Sequence, residues 1–259
     1  MQKKRLDILV EAAGLAESRT LAQKLIMAGE VRVNGNMIIK SSALFTEEDL
    51  ITVTSGPRFV SRGGEKLLGA IEHFGLTDLT GKVCVDVGSS TGGFTDCMLQ
   101  HGAAKVYAID VGYGLLHWKL RNDPRVISME KTNAREVTAL PEPIDLVTID
   151  ASFISLKILL PVIQNWLRSA DSCIVSLIKP QFEAGKEEAA RGAGVIRDAD
   201  VHRKVLRETL NFAVDSGLGV FDLIKSPLTG PKGNTEFLVL LKPAPHRFDI
   251  ERAIRNCVG

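Results

Sequence analysis

The sequence predicts an α/β protein: a doubly wound, mostly parallel sheet of seven strands, preceded by a small N-terminal α+β domain. Three observations lead there. Short apolar runs of strand length recur from Val83 to Leu241, with helical patterns between most of them. The first run, Val83–Val87, stops at Gly88, and after Gly92-Gly93 a helical pattern carries Phe94, Cys97, Met98 and His101. Strand, glycine-rich turn, helix is the opening unit of a nucleotide-binding α/β domain. The residues up to Thr54 follow a different pattern, two short helices and a hairpin.

In chain order, Leu6, Leu9 and Val10 form one apolar stripe that ends at Gly14. Ser18 is a suitable N-cap for a second helix, in which Leu21, Ala22, Leu25 and Ile26 recur at helical spacing before Gly29. Val31–Ile39 reads as two short strands around Asn34-Gly35, a strong hairpin signal, and Leu50–Val53 adds a further strand. Gly56-Pro57 marks a linker over 55–61 between a domain at 1–54 and a domain at 62–259. The expected strands of the large domain are Val83–Val87, Val106–Asp110, Val126–Met129, Leu146–Asp150, Cys173–Ile178, Gly219–Leu223 and Glu236–Leu241, the last two as an antiparallel pair at one edge. Helical patterns cover Leu156–Leu167 and Val201–Val214.

Composition bounds the function. At 259 residues, 45% apolar and 24% charged, the chain is ordinary for a soluble globular protein. Its net charge is +1, so a nucleic-acid partner would need a local basic face. No run approaches the length of a membrane span, and no apolar core follows the charges of the N-terminus, so neither membrane insertion nor secretion is expected. The four cysteines form no C-x-x-C pair, so buried thiols in a reducing cytoplasm are expected, with no metal site.

The glycine-rich turn points to a particular ligand. A dinucleotide fingerprint, G-x-G-x-x-G, offers a helix N-terminus to a pyrophosphate. Here Asp86 precedes Gly88-Ser89-Ser90-Thr91-Gly92-Gly93, and a carboxylate there would repel phosphate but favour a cationic ligand with an amino acid moiety. S-adenosylmethionine is such a ligand. The second strand ends in Asp110, where a ribose diol would be held. Asn133, after the third strand, is a candidate for the adenine edge, and Phe94 for a flank of the cofactor. The glycines are expected to let the ligand approach bare backbone. A methyltransferase is the reading these residues support.

Substrates in such folds bind outside the carboxyl ends of the strands. Asp150 ends the fourth strand, Lys179 ends the fifth before Pro180, Glu236 opens the last, and Lys66 heads the first helix. Two lysines and two acids at one mouth suit methylation of a ribose 2′-hydroxyl, a poor nucleophile whose proton must be removed. Lys179 is expected nearest the hydroxyl, with a second ammonium lowering its pKa; Asp150 is expected between Lys179 and the methyl group, in contact with the cofactor as well, and Lys66 with Glu236 to orient the group.

The order Lys66-Asp150-Lys179-Glu236 resembles the tetrad of the FtsJ-type ribose 2′-O-methyltransferases, which have a Rossmann-like domain. Segments along nearly the whole chain resemble one branch of them, the TlyA or hemolysin A family: Val60–Leu67, Asp86–Thr95, Asp110–Gly114, Leu120–Val126, Asp150–Ser155, Lys179–Glu183 and Ser226–Asn234. The N-terminal helices and Val31-Arg-Val-Asn-Gly35 resemble the alpha-L RNA-binding motif. The resemblance implies 2′-O-methylation of cytidines in ribosomal RNA within ribosomal subunits, with RNA-contacting positions at Arg5, Ser18, Arg19, Lys24, Arg32, Asn34 and Lys40. In the family the linker bears on cofactor binding, and members can carry Trp at the Phe59 position. Two other functions remain to be weighed: a membrane-active hemolysin, and an RNA-binding assembly factor with an idle methyltransferase fold.

Overall fold

The computed structural model describes residues 3–54, 58–185, 188 and 194–259, and the chain divides into two compact units, Met1–Arg58 and Phe59–Gly259. In the smaller unit β1 (Lys4–Arg5) runs directly into α1 (Leu6–Ala12), and α2 (Arg19–Met27) begins at Ser18. The expected cap is present: Ser18 Oγ accepts a hydrogen bond from the Leu21 amide at 3.2 Å. The strands β2 (Val31–Val33), β3 (Asn36–Met37), β4 (Leu44–Phe45) and β5 (Ile51–Val53) follow. β3, β2 and β5 form one antiparallel sheet in that order, and β4 pairs with β1. Asn34 and Gly35 both take positive φ, 51° and 82°, as a two-residue turn matched to strand twist requires. Leu6, Val10, Ala22, Ile26, Val31 and Val33 fill the core.

One buried carboxylate organises this unit. Asp7, fully buried in α1, accepts from Arg5 Nε and Nη2 at 3.0 and 2.9 Å, from Arg19 Nε at 3.1 Å and from Gln23 Nε2 at 2.7 Å. These donors, Arg5 first, hold its pKa below the usual 3.8. A depressed carboxylate contributes stability above its unfolded pKa and loses it as the pH falls. Asp7→Asn is therefore expected to destabilise the small unit by about 1–2 kcal/mol at pH 7. The gap to wild type should narrow at pH 3, both read by chemical denaturation of the full chain.

The larger unit is a seven-stranded sheet flanked by helices on both faces. Its elements are α3 (Gly63–Phe74), β6 (Val83–Val87), α4 (Gly93–Gln100), β7 (Lys105–Ile109), α5 (Trp118–Arg121), β8 (Val126–Met129), β9 (Leu146–Ile149), α6 (Leu156–Ile163), β10 (Cys173–Ile178), α7 (Pro180–Glu183), α8 (Ala199–Asp215), β11 (Gly219–Lys225), β12 (Phe237–Lys242) and α9 (Ile250–Val258). The strand order is β11-β12-β10-β9-β6-β7-β8, with β12 antiparallel to both neighbours and the remaining pairs parallel. Every residue of β6 is buried, because both faces of the sheet are covered. Val83, Val85 and Val87 pack with α6, α8 and α9, while Cys84 packs on the opposite face with α3, α4 and α5. The helix expected over Leu156–Leu167 ends earlier, at Ile163, and continues as a 3₁₀ turn over Gln164–Trp166. Pro161 lies inside it and removes a backbone donor.

The expected linker needs a correction. Ser55, Gly56 and Pro57 lie outside the described residues, but Phe59 is 2% exposed within the core of the larger unit. Its ring occupies the space a side chain at Gly64 would need, and the Val60 amide donates to Asp96 Oδ2 at 2.9 Å. An aromatic next to a Gly-Pro pair reads as linker in sequence, but here it is core. No described helix is long and apolar enough to cross a membrane.

Candidate active site

The antiparallel β12 places the expected catalytic residues together. Because it runs against β10, its start lies beside the end of β10, and Ile178 pairs with Phe237. Lys179 and Glu236 are the next residues outward on each strand. Asp150 follows β9, whose Ile149 pairs with Val87 of β6, so it lies beside Gly88. Lys66 projects from the first turns of α3. All four line one cleft of about 960 Å³, together with Asp86, Ser89 and Phe94.

The four charges form two ion pairs. Lys66 Nζ lies 2.6 Å from Glu236 Oε2, and both side chains are buried. Lys179 Nζ lies 2.5 Å from Asp150 Oδ1, and it also donates to Ser152 Oγ at 3.2 Å and to the Asp150 carbonyl at 3.4 Å. The sequence reading set the two ammonium groups to act on each other. Each is instead paired with its own carboxylate, because β12 delivers Glu236 to α3 while the β9 and β10 ends deliver Asp150 to Lys179. Glu236 is tightly cradled: a Cβ at Gly230 would stand 2.5 Å from its Oε1. Gly230→Ala is therefore expected to displace the carboxylate and lower turnover by about 10–100-fold, measured beside a thermal melt that shows the fold intact.

Asp86, buried completely beneath the turn, accepts from the Thr95 amide and hydroxyl through Oδ2 at 2.9 and 2.7 Å. Its Oδ1 is buried with no partner among the described residues. Burial pushes its pKa up to about 7, against the lowering effect of Thr95. Asp110 accepts from Gly112 N at 2.7 Å through Oδ1 and from Ser90 N at 2.8 Å through Oδ2, which ties the glycine-rich turn to the end of β7. Asp110, Asn133 and Ser90 line an adjoining cleft of about 810 Å³, and Asn133 Oδ1 caps a 3₁₀ turn by accepting from Arg135 N at 3.3 Å.

The turn glycines also make room within the protein itself. A Cβ at Gly88 would meet the Asp150 carbonyl at 2.8 Å, one at Gly92 would meet Leu120 at 2.2 Å, and one at Gly93 would meet Ser61 Oγ at 2.4 Å and Gly64 N at 2.7 Å. All three make room for the protein's own neighbours. Gly88 and Gly93 also line the first cleft, but Gly92 lines neither, because it faces Leu116 and Leu120 behind the turn.

The expected RNA-contacting positions separate into two groups. Lys24, Arg32 and Lys40 are exposed. Ser18 caps α2, while Asn34 bonds Asp49 Oδ1 and the Leu50 amide at 2.8 and 2.9 Å, so both side chains hold the fold. Arg5 and Arg19 converge on Asp7 but remain part-exposed, at 39% and 48% of the side chain.

Four further residues lie in or next to the clefts. Phe153 has φ +63°, a strained value for a bulky residue, and is 90% exposed, its ring 4.9 Å from that of Phe182. Gln181 lines both clefts beside them. Asn234 accepts from the Ile196 amide and donates to the Gly194 carbonyl, both at 2.9 Å, which anchors the loop leading to Glu236. Glu183 accepts from Ser155 Oγ and the Leu156 amide at 2.6 and 2.8 Å, joining α7 to the start of α6. All four lie in the segments Asp150–Ser155, Lys179–Glu183 and Ser226–Asn234 that carry the family resemblance, the one sequence signal that could have singled them out.

Comparison with known proteins identifies the family. An FtsJ-like methyltransferase model matches residues 59–243, and an S4 domain model matches residues 4–51. The 16S/23S rRNA (cytidine-2′-O)-methyltransferase TlyA of Mycobacterium tuberculosis is 42% identical over 261 residues, 99% of this chain and 96% of that one. Hemolysin A of Brachyspira hyodysenteriae is 42% identical, over 90% of this chain and 98% of that one. A solved structure described as a hemolysin, from Streptococcus thermophilus, superposes with a TM-score of 0.73 at 40% identity, covering 99% of this chain and 96% of that one. With an FtsJ-like model over residues 59–243, an S4 model over residues 4–51 and relatives 42% identical over nine-tenths or more of its length, the chain belongs to the TlyA (hemolysin A) family of S-adenosylmethionine-dependent FtsJ-like RNA methyltransferases.

Proposed function

We propose that this protein methylates the ribose 2′-hydroxyl of cytidines in ribosomal RNA, acting on ribosomal subunits in the cytoplasm. The observation that carries this reading is the buried pairing of Lys179 with Asp150 and of Lys66 with Glu236 in one cleft with Asp86. The residues fit S-adenosylmethionine: an orphaned carboxylate oxygen on Asp86 suits its ammonium group, and Asp110 and Asn133 suit its ribose and adenine. When bound, the cofactor supplies an electrophilic methyl group. Lys179 holds the substrate hydroxyl, and the Lys179–Asp150 pair takes up the proton that leaves as methylation proceeds. Asp150 and Ser152 fix the Lys179 side chain, and the Lys66–Glu236 pair orients the ribose. The S4 unit presents Lys24, Arg32 and Lys40 to the phosphate backbone, the contacts that position a nucleic acid.

The test is incubation with tritiated S-adenosylmethionine and separated, unmodified bacterial subunits. Label recovered in an alkali-resistant dinucleotide supports ribose methylation and names the subunit. Cofactor binding with no label on either subunit would leave the assembly-factor reading in its place.

A further inference from the structure

Gln181 combines an unmet acceptor with a fixed orientation. Its Nε2 donates to Glu236 Oε1 at 3.5 Å, and turning the amide over would set two acceptors against each other. Oε1 is then the atom left over, and it is buried with no partner among the described residues. An unmet buried acceptor costs about 1–3 kcal/mol and is rare unless a ligand satisfies it. Gln181 lines both clefts, and so do Phe153 and Phe182, whose rings lie together at the mouth.

Resting on the reading of the site as a cytidine ribose methyltransferase, we infer that Gln181 Oε1 reads the base of the target nucleotide by accepting from the exocyclic amino group of cytosine. The ribose has one donor, the 2′-hydroxyl, and Lys179 takes it. The donors of the cofactor, its ammonium, ribose hydroxyls and adenine amino group, have Asp86, Asp110 and Asn133 as their acceptors. The remaining donor on a target cytidine is N4–H₂. Uracil presents a carbonyl oxygen at that position, so its binding would set two acceptors together in a buried site. A base splayed out of the RNA has the exposed Phe153 ring on which to stack, the usual way a single unpaired base is held. Aromatic stacking accepts any base, so the amide supplies the discrimination.

The experiment compares turnover on subunits reconstituted with ribosomal RNA carrying either the natural cytidine or uridine at the mapped target. Wild type is expected to prefer cytidine by at least about 100-fold, the scale on which a site built around a hydrogen bond rejects a mismatched group. Gln181→Leu should reduce that preference to below about tenfold, chiefly through slower turnover of cytidine, with the cofactor Kd within about twofold. Gln181→Met keeps the length and most of the volume without the amide and should lose the preference as the Leu variant does, which separates base reading from lost packing. An unchanged cytidine preference in Gln181→Leu overturns the inference. So does a tenfold weaker cofactor Kd, which would assign Oε1 to the cofactor, or a preference retained in Gln181→Met. If wild type labels no ribose in either subunit, the ribose-methylation reading itself fails and the assignment of Gln181 fails with it.

Discussion

Lys179→Ala is expected to slow ribose methylation of ribosomal subunits by about 10³-fold, with the S-adenosylmethionine Kd changed by no more than about threefold. A positioned proton acceptor contributes roughly 10²–10⁴-fold, and this lysine also holds the reacting oxygen. It is 8% exposed and its ammonium meets Asp150 and Ser152, so no water is well placed to substitute for it. Asp86, Asp110 and Asn133, expected to hold the two ends of the cofactor, do not touch it, so binding and transfer should separate. That split distinguishes loss of chemistry from loss of fold. Lys66→Ala should cost less, because its partner Glu236 is also held by Gln181 and the Gly230 cradle. An alanine variant at Lys179 that keeps more than a tenth of the wild-type rate would remove the lysine from the reaction.

How much of this was legible beforehand depended on whether the relevant physics is local. Strands such as Val83–Val87 and Cys173–Ile178 have the expected bounds, since burial on both faces leaves an uninterrupted apolar run in the sequence. The Asn34-Gly35 hairpin and the Ser18 cap are equally local. The tetrad could be read because strand ends are where a parallel sheet presents chemistry. What could not be read was partner choice. Nothing in the chain says that Lys66 meets Glu236, 170 residues away, or that Arg5 and Arg19 turn inward to Asp7. Gly92 was placed correctly but its neighbour could not be named, since a glycine records only that something is close, not whether it is a ligand or Leu120. Phe59 looked like linker because burial depends on what Gly64 leaves open above α3.

Asp86→Asn is expected to move stability and function in opposite directions. In the ligand-free protein, burial holds the Asp86 carboxyl at about 7, with the nearby charges of Asp150 and Asp110 adding to the effect and Thr95 opposing it. Its ordinary value is 3.8, so between about pH 4 and pH 7 the folded protein holds a proton that the unfolded chain releases. Stability must then fall as the pH rises through that window, by roughly 1.4 kcal/mol for each tenfold change in acidity. Asparagine keeps the shape and can still accept from Thr95, but it has no charge to bury. The variant should be more stable than wild type at pH 8, with the difference vanishing near pH 4. Its cofactor affinity should fall by at least about 30-fold, the loss of a charge-assisted contact to an ammonium group. Wild-type affinity should rise with pH up to about 7 and the variant's should stay flat. Calorimetric melts at pH 4, 6 and 8, with titrations of S-adenosylmethionine at the same values, read both effects. A variant less stable than wild type at pH 8, binding the cofactor as tightly, would show that Asp86 holds the turn through Thr95 and takes no part in binding. The opposite signs arise because the carboxylate is desolvated in advance for a cation that arrives later, so the folded protein is less stable until that cation is bound.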